Sequence, residues 1–147
     1  MKWYNNIVLI SALIGWFSAQ FIKIIIMLIK IKKIDLKLLF STGGMPSAHS
    51  SMVTALAVTV GFQKGFGSAL FAVSAVFASV IMFDAQGVRK AAGEQAKIVN
   101  KILVELFQNH HLSNVKLKEL LGHTRFEVLV GLILGILIAF GMHSFFN

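Results

Sequence analysis

The sequence predicts an all-α membrane protein, a polytopic helical bundle of about four transmembrane helices with one cytoplasmic amphipathic helix. Three observations predict it. Of 147 residues, 56% are hydrophobic and 14% are charged, against roughly 25% charged in soluble domains. The apolar residues fall in runs near the length that crosses a bilayer, about 20 residues per helix. Most of the lysines and arginines gather between those runs rather than within them. The mean hydropathy of +0.79 agrees. Four such runs and one polar segment fill the chain, so residues 1–147 read as a single membrane domain with no room for a soluble one of ordinary size. There is no cysteine, which excludes disulfides and thiolate chemistry.

The first span covers about 7–29 and is interrupted by Gln20 and Lys23. Its apolar part is too long, and lacks the small-residue cleavage site, to be a removable signal peptide. A linker follows with Lys30, Lys32, Lys33, Lys37 and Asp35, and then a turn, Gly43-Gly44-Met45-Pro46. The second span, 47–62, is made of small and β-branched residues and is short for a full crossing. Gln63, Lys64 and Gly65 turn the chain into the third span, 66–83, where Ala72, Ala75 and Ala78 let neighbouring helices approach closely. A polar segment, 84–125, holds a helical pattern over 88–107. Val88, Ala91, Ala92, Gln95, Val99, Ile102 and Leu103 lie near one face there, with Lys90, Glu94, Lys97, Lys101 and Glu105 elsewhere. Residues 117–121 form a short helical approach to the last span, 126–146, in which Gly131 and Gly135 stand four apart.

Charge sets the expected orientation. The linker lysines and the basic residues of 89–125 lie on one side, and only Lys2 and Lys64 on the other, so the positive-inside rule puts both basic segments in the cytoplasm and both termini outside. The expected location is the cell membrane, crossed several times. A net charge of +8 raises nucleic acid as a partner. No nucleic-acid motif accompanies the lysines, which flank spans instead, so anionic lipid headgroups are the expected partners.

The residues that can carry chemistry gather at the cytoplasmic edge. In Gly43-Gly44-Met45-Pro46-Ser47-Ala48-His49-Ser50 a glycine-proline turn opens a helix with two hydroxyls and an imidazole in its first turn. Free backbone amides and the positive helix end make such a place attractive to anions, although a plain capped helix with a solvated histidine has the same composition. Gly122-His123-Thr124-Arg125-Phe126-Glu127 opens the last span in the same manner. His123 and Glu127 are one helical turn apart, where the carboxylate can fix the imidazole tautomer. The same four residues from Thr124 also fit a capping box, in which Glu127 only closes the helix end. Lys23, a cation inside a span, is a candidate functional group or a snorkelling side chain.

These motifs resemble a known family. Pro46-Ser47-Ala48-His49 looks like the Pro-Ser-Gly-His motif of the phosphatidic acid phosphatase type 2 superfamily, and Gly122-His123 with Glu127 looks like its third motif. The set Gly43 to Ser50, then Asp84-Ala85-Gln86-Gly87-Val88-Arg89 with Ala92 to Ala96, then Leu121 to Thr124 resembles the divergent, haloperoxidase-related branch of that superfamily over nearly the whole chain. The resemblance implies a metal-independent phosphatase acting on a lipid phosphate through a phosphohistidine. It would make His123 the nucleophile, Glu127 its orienting acid and His49 the general acid, with Ser47, Lys23 and the amides around Gly44 holding phosphate oxygens. The chain departs from the superfamily pattern: Lys30, followed by Ile31, stands where the first motif has arginine and proline, Leu117 occupies the third motif's arginine position, Ala48 replaces glycine, and Glu127 replaces aspartate. Lysine lacks the planar fork of arginine, so a relocated cation is expected, Arg89 first and Arg125 second. No cofactor is implied, though Asp84 and Glu94 could recruit Mg²⁺. The alternatives are a small transporter or channel with Lys23, Asp84 and His123 along a polar path, and an inactive protein that binds lipid phosphates.

Overall fold

The computed structural model describes residues 6–31, 44–106 and 122–146, and among these it contains helices and no strand. They are α1 (Ile7–Ile31), α2 (Ala48–Lys64), α3 (Ala69–Gln86), α4 (Val88–Leu106) and α5 (Arg125–Phe146). The expected linker after α1, the Asn109-His110-His111 turn, the approach helix over 117–121 and Leu117 lie outside the described residues.

Helix ends follow local chemistry. The Ser47 side chain caps α2 by accepting from the Ser50 amide, and Ser68 caps α3 by accepting from Phe71 N–H at 3.2 Å. The third apolar run is expected to turn helical at residue 66. It does so three residues later, because Gly65 adopts φ +86° and Phe66-Gly67 complete the turn that Ser68 closes. Gly87 ends α3, its N–H bonded to the Phe83 carbonyl at 2.9 Å.

α2 is the centre of the bundle and packs against α1, α3 and α5. Its register on each neighbour can be read from side chains. Ser51 Oγ donates to the Gly15 carbonyl at 2.9 Å and Thr59 Oγ1 to Ser11 Oγ at 2.8 Å, so α1 and α2 are antiparallel. Gly131 abuts Ser47, Gly135 abuts Ser51, and His143 stacks on Phe62 with ring centroids 4.2 Å apart, so α5 runs parallel to α2. A Cβ at Gly131 or Gly135 would lie 2.5 Å from the carbonyl oxygen of Ser47 or Ser51. Only hydrogen fits there, which is why the two backbones can approach so closely.

The interior is built of small residues. Ala12, Ala19, Ala55, Ala57, Ala78 and Ala139 are buried, while Phe17, Phe21, Val73, Val80 and Leu137 are exposed. This inversion suits a lipid solvent, in which bulky apolar side chains gain nothing by leaving the surface and small ones let helices touch. The chain is a membrane protein of the all-α class. Ile7–Ile29, Ala69–Val104 and Arg125–Phe146 are long and apolar enough to cross a bilayer. α2, at 17 residues, is about 25 Å long at 1.5 Å per residue. α4 packs on α3, and the residues it buries are Gly93, Ala96 and Asn100, whereas Val88, Val99 and Ile102 from the expected apolar face are exposed.

Candidate functional site

Four chain segments meet at one end of the bundle: the last third of α1, the turn before α2, the end of α3 and the start of α5. The turn is built around Gly44, whose φ of +93° favours glycine. A Cβ there would sit 3.5 Å from Lys23 Cδ, so the lysine stem lies along this turn. Lys23 is eight residues before the end of α1, about 12 Å along its axis. The turn therefore folds back to a level well inside α1. Lys23 is half-buried, and its stem follows the turn that leads to Ser47, whose N–H is bonded to the Glu127 carbonyl.

Ser47 is fully buried and joins two helices. Its N–H donates to the Glu127 carbonyl at 3.1 Å, which ties the start of α2 to the first turn of α5. Its hydroxyl oxygen accepts from the Ser50 hydroxyl at 2.9 Å and from the Ser50 amide at 3.4 Å. With both lone pairs of Ser47 Oγ occupied, its own proton is directed elsewhere.

His123 is only 4% exposed and is held from both sides. Gly122, at φ +94°, turns the chain into it, and the His123 N–H donates to the Ala85 carbonyl in the last turn of α3 at 2.9 Å. Its Nδ1 lies 3.1 Å from Glu127 Oε2. That same oxygen accepts from Thr124 N–H at 2.9 Å, and Glu127 N–H donates to Thr124 Oγ1 at 3.2 Å. The capping box and the histidine-orienting pair are thus one arrangement, with Oε2 shared between them. An ionised Glu127 selects the tautomer with the proton on Nδ1, which places the lone pair on Nε2.

The structure accordingly brings together Lys23, Gly44, Ser47, His123 and Glu127. His49, half-buried, is the second residue of α2, two beyond Ser47. Asp84 is half-buried in the last turn of α3, one residue before the carbonyl that holds His123. Arg89 is in the first turn of α4 and Lys30 in the last turn of α1, and the side chains of both lie outside what is described. Arg125 is the exposed first residue of α5. Glu94 is exposed on α4. Among the described residues no group of three or more His, Cys, Asp or Glu could hold a metal ion, so a Mg²⁺ bound through Asp84 or Glu94 would keep most of its shell as water.

Two contributors were not anticipated. The sequence marks Ser50 only as a second hydroxyl of the first turn, although its position three residues after an N-cap serine is a recognisable signal. The Ala85 carbonyl carries no signal, because any residue supplies one.

A family model described as "Divergent PAP2 family" matches residues 4–138. The chain is similar to the "Uncharacterized membrane protein YuiD" of Bacillus subtilis (strain 168), with 45% identity over 157 aligned positions covering 99% of each chain. No solved structure matches.

Proposed function

The chain belongs to the Divergent PAP2 family, and from that premise we propose that it is a membrane-embedded phosphatase that hydrolyses a phospholipid or isoprenoid phosphate through a phosphohistidine. One observation carries the proposal: a buried His123 with Glu127 on its Nδ1, beside a buried N-cap serine and a lysine from a third helix. A structural histidine needs a partner. It does not need a lysine, an N-cap hydroxyl and a second helix start gathered around it.

In the proposed reaction the Nε2 lone pair of His123 attacks phosphorus, the bond to the lipid oxygen breaks, and that oxygen takes a proton from His49. The imidazolium formed is stabilised by Glu127 through Nδ1–H. Water then attacks phosphorus with its proton passing to His49, the P–N bond breaks, and inorganic phosphate leaves. Lys23, the Ser47 proton and the amides around Gly44 neutralise the equatorial oxygens, which is where catalysis of phosphoryl transfer resides. Arg89 supplies the planar fork that Lys30 cannot, with Arg125 as the runner-up.

The proposal includes four crossings of the cell membrane with the site on the cytoplasmic side. The antiparallel packing of α2 on α1 supports alternating crossings, and the lysine asymmetry supports the orientation. Ser51 and Thr59, two interior hydroxyls of α2, are engaged in bonds to α1 rather than turned to a polar path.

The test uses the full-length protein in detergent. Vanadate resembles the transferring phosphoryl group, so it should raise the melting temperature of the wild type more than phosphate does and leave His123→Ala unchanged. Phosphate should be released from a lipid phosphate by the wild type alone. Vanadate binding without turnover would identify a lipid-phosphate-binding protein, and flux in liposomes without phosphate release would identify a transporter. Loss of turnover with chelator would bring in Mg²⁺ through Asp84 or Glu94.

A further inference from the structure

α4 has three separate faces, and the geometry points to a surface rather than a span. At about 100° per residue, Gly93, Ala96 and Asn100 form one arc, buried in the protein. Val88, Ile98, Val99 and Ile102 form a second arc of bulky apolar side chains, with Val88 and Ile98 60% or more exposed. Lys90, Lys97 and Lys101 form the third, also exposed. A helix packed wholly into a soluble core would turn its bulky residues inward, and a crossing helix would not carry this stripe of lysines.

We propose that α4 is an interfacial helix whose Val88–Ile98–Val99–Ile102 face lies in the boundary of an anionic lipid leaflet, with Lys90, Lys97 and Lys101 reaching the headgroups. Two independent observations select a bilayer as the occupant. α4 starts two residues after the end of α3, an apolar helix long enough to belong to a crossing, so its exposed apolar arc is delivered at the bilayer edge. The lysine arc lies on the exposed side of the helix, with the exposed Glu94 between it and the apolar arc, and its three lysines against that one carboxylate leave a positive charge that complements anionic phospholipid. The third face closes against the protein, as expected for a helix lying beside a bundle.

The inference does not depend on phosphatase activity. The natural chain lacks cysteine, so single substitutions Ile98→Cys, Ile102→Cys and Lys97→Cys in the full chain can each carry an environment-sensitive fluorophore. The chains would be reconstituted in phosphatidylcholine vesicles with and without phosphatidylglycerol, together with lipid carrying a quencher at the glycerol level. Positions 98 and 102 should be blue-shifted and quenched and position 97 far less so, with a larger shift when phosphatidylglycerol is present. Solvent-like emission at 98, or equal quenching at 97 and 98, would overturn the placement. Burial of 98 only at high protein-to-lipid ratio would assign the face to a second copy and overturn it too. Adding Lys90→Gln, Lys97→Gln and Lys101→Gln to the Ile98→Cys chain should abolish the response to phosphatidylglycerol, and an unchanged response would remove the lysines from recognition.

Discussion

At the scale of single residues, Glu127 carries three duties: its carboxylate caps α5 and orients His123, and its backbone carbonyl receives Ser47. Two substitutions separate them. Glu127→Gln keeps an acceptor for Thr124 N–H but loses the charge that stabilises the imidazolium, so the fold should persist while phosphate release falls on the order of 100-fold or more. Glu127→Ala should also lose helix stability, about 1 kcal/mol for a missing cap, visible as a lower melting temperature. Equal turnover in Glu127→Gln and wild type would reduce the residue to a cap. The second residue-level prediction concerns the cation. Arg89→Lys should keep helicity and lose most turnover and vanadate affinity, whereas Arg125→Lys, exposed at the helix start, should change little. Reversed results would transfer the role to Arg125.

At the scale of elements, the glycines of α5 decide whether the site exists at all. Gly131→Ala would drive a methyl to 2.5 Å from the Ser47 carbonyl oxygen, backbone that cannot swing away. It should destabilise the bundle by about 1–3 kcal/mol, the usual cost of overpacking, and displace Ser47 from Glu127. Gly141→Ala, where nothing lies within 4 Å, is the control and should be neutral. Thermal unfolding of both variants in detergent would distinguish them, and equal melting temperatures would mean that α2 and α5 are not in close contact. The pairing of Gly131 with Gly135 was legible in the sequence, as were the helices themselves, because apolar run length and glycine spacing are local properties. The start of α3 was not, since Phe66 continues an apolar run straight through a turn that only the φ of Gly65 and the cap of Ser68 define. The faces of α4 were half legible. Periodicity identified its apolar stripe, but in a protein solvated by lipid the small arc packs inward and the bulky arc faces out.

At the scale of the whole molecule, the site exists because an up-and-down bundle puts the end of α1, the start of α2, the end of α3 and the start of α5 at one level. The sequence indicated that both histidine-bearing helix starts share a side. Only the fold reveals that Glu127 links them, through its carboxylate to His123 and through its carbonyl to Ser47. The proposed cytoplasmic placement of this end of the bundle rests on the lysine asymmetry. Cysteines replacing Lys32 and Lys116 should resist an impermeant thiol reagent in intact cells while one replacing Lys64 reacts, and labelling at either of the first two would move the site to the outer face. The most direct measurement for the proposed chemistry is capture of the covalent intermediate. The full-length protein would be quenched in alkali, where phosphohistidine survives, during turnover of a lipid phosphate, and its peptides analysed by mass spectrometry. The proposed mechanism predicts a phosphoryl group on His123 that is absent without substrate, together with loss of phosphate release in a helical His123→Ala. Phosphate release by His123→Ala, or turnover with no phosphoryl group on His123, would contradict it.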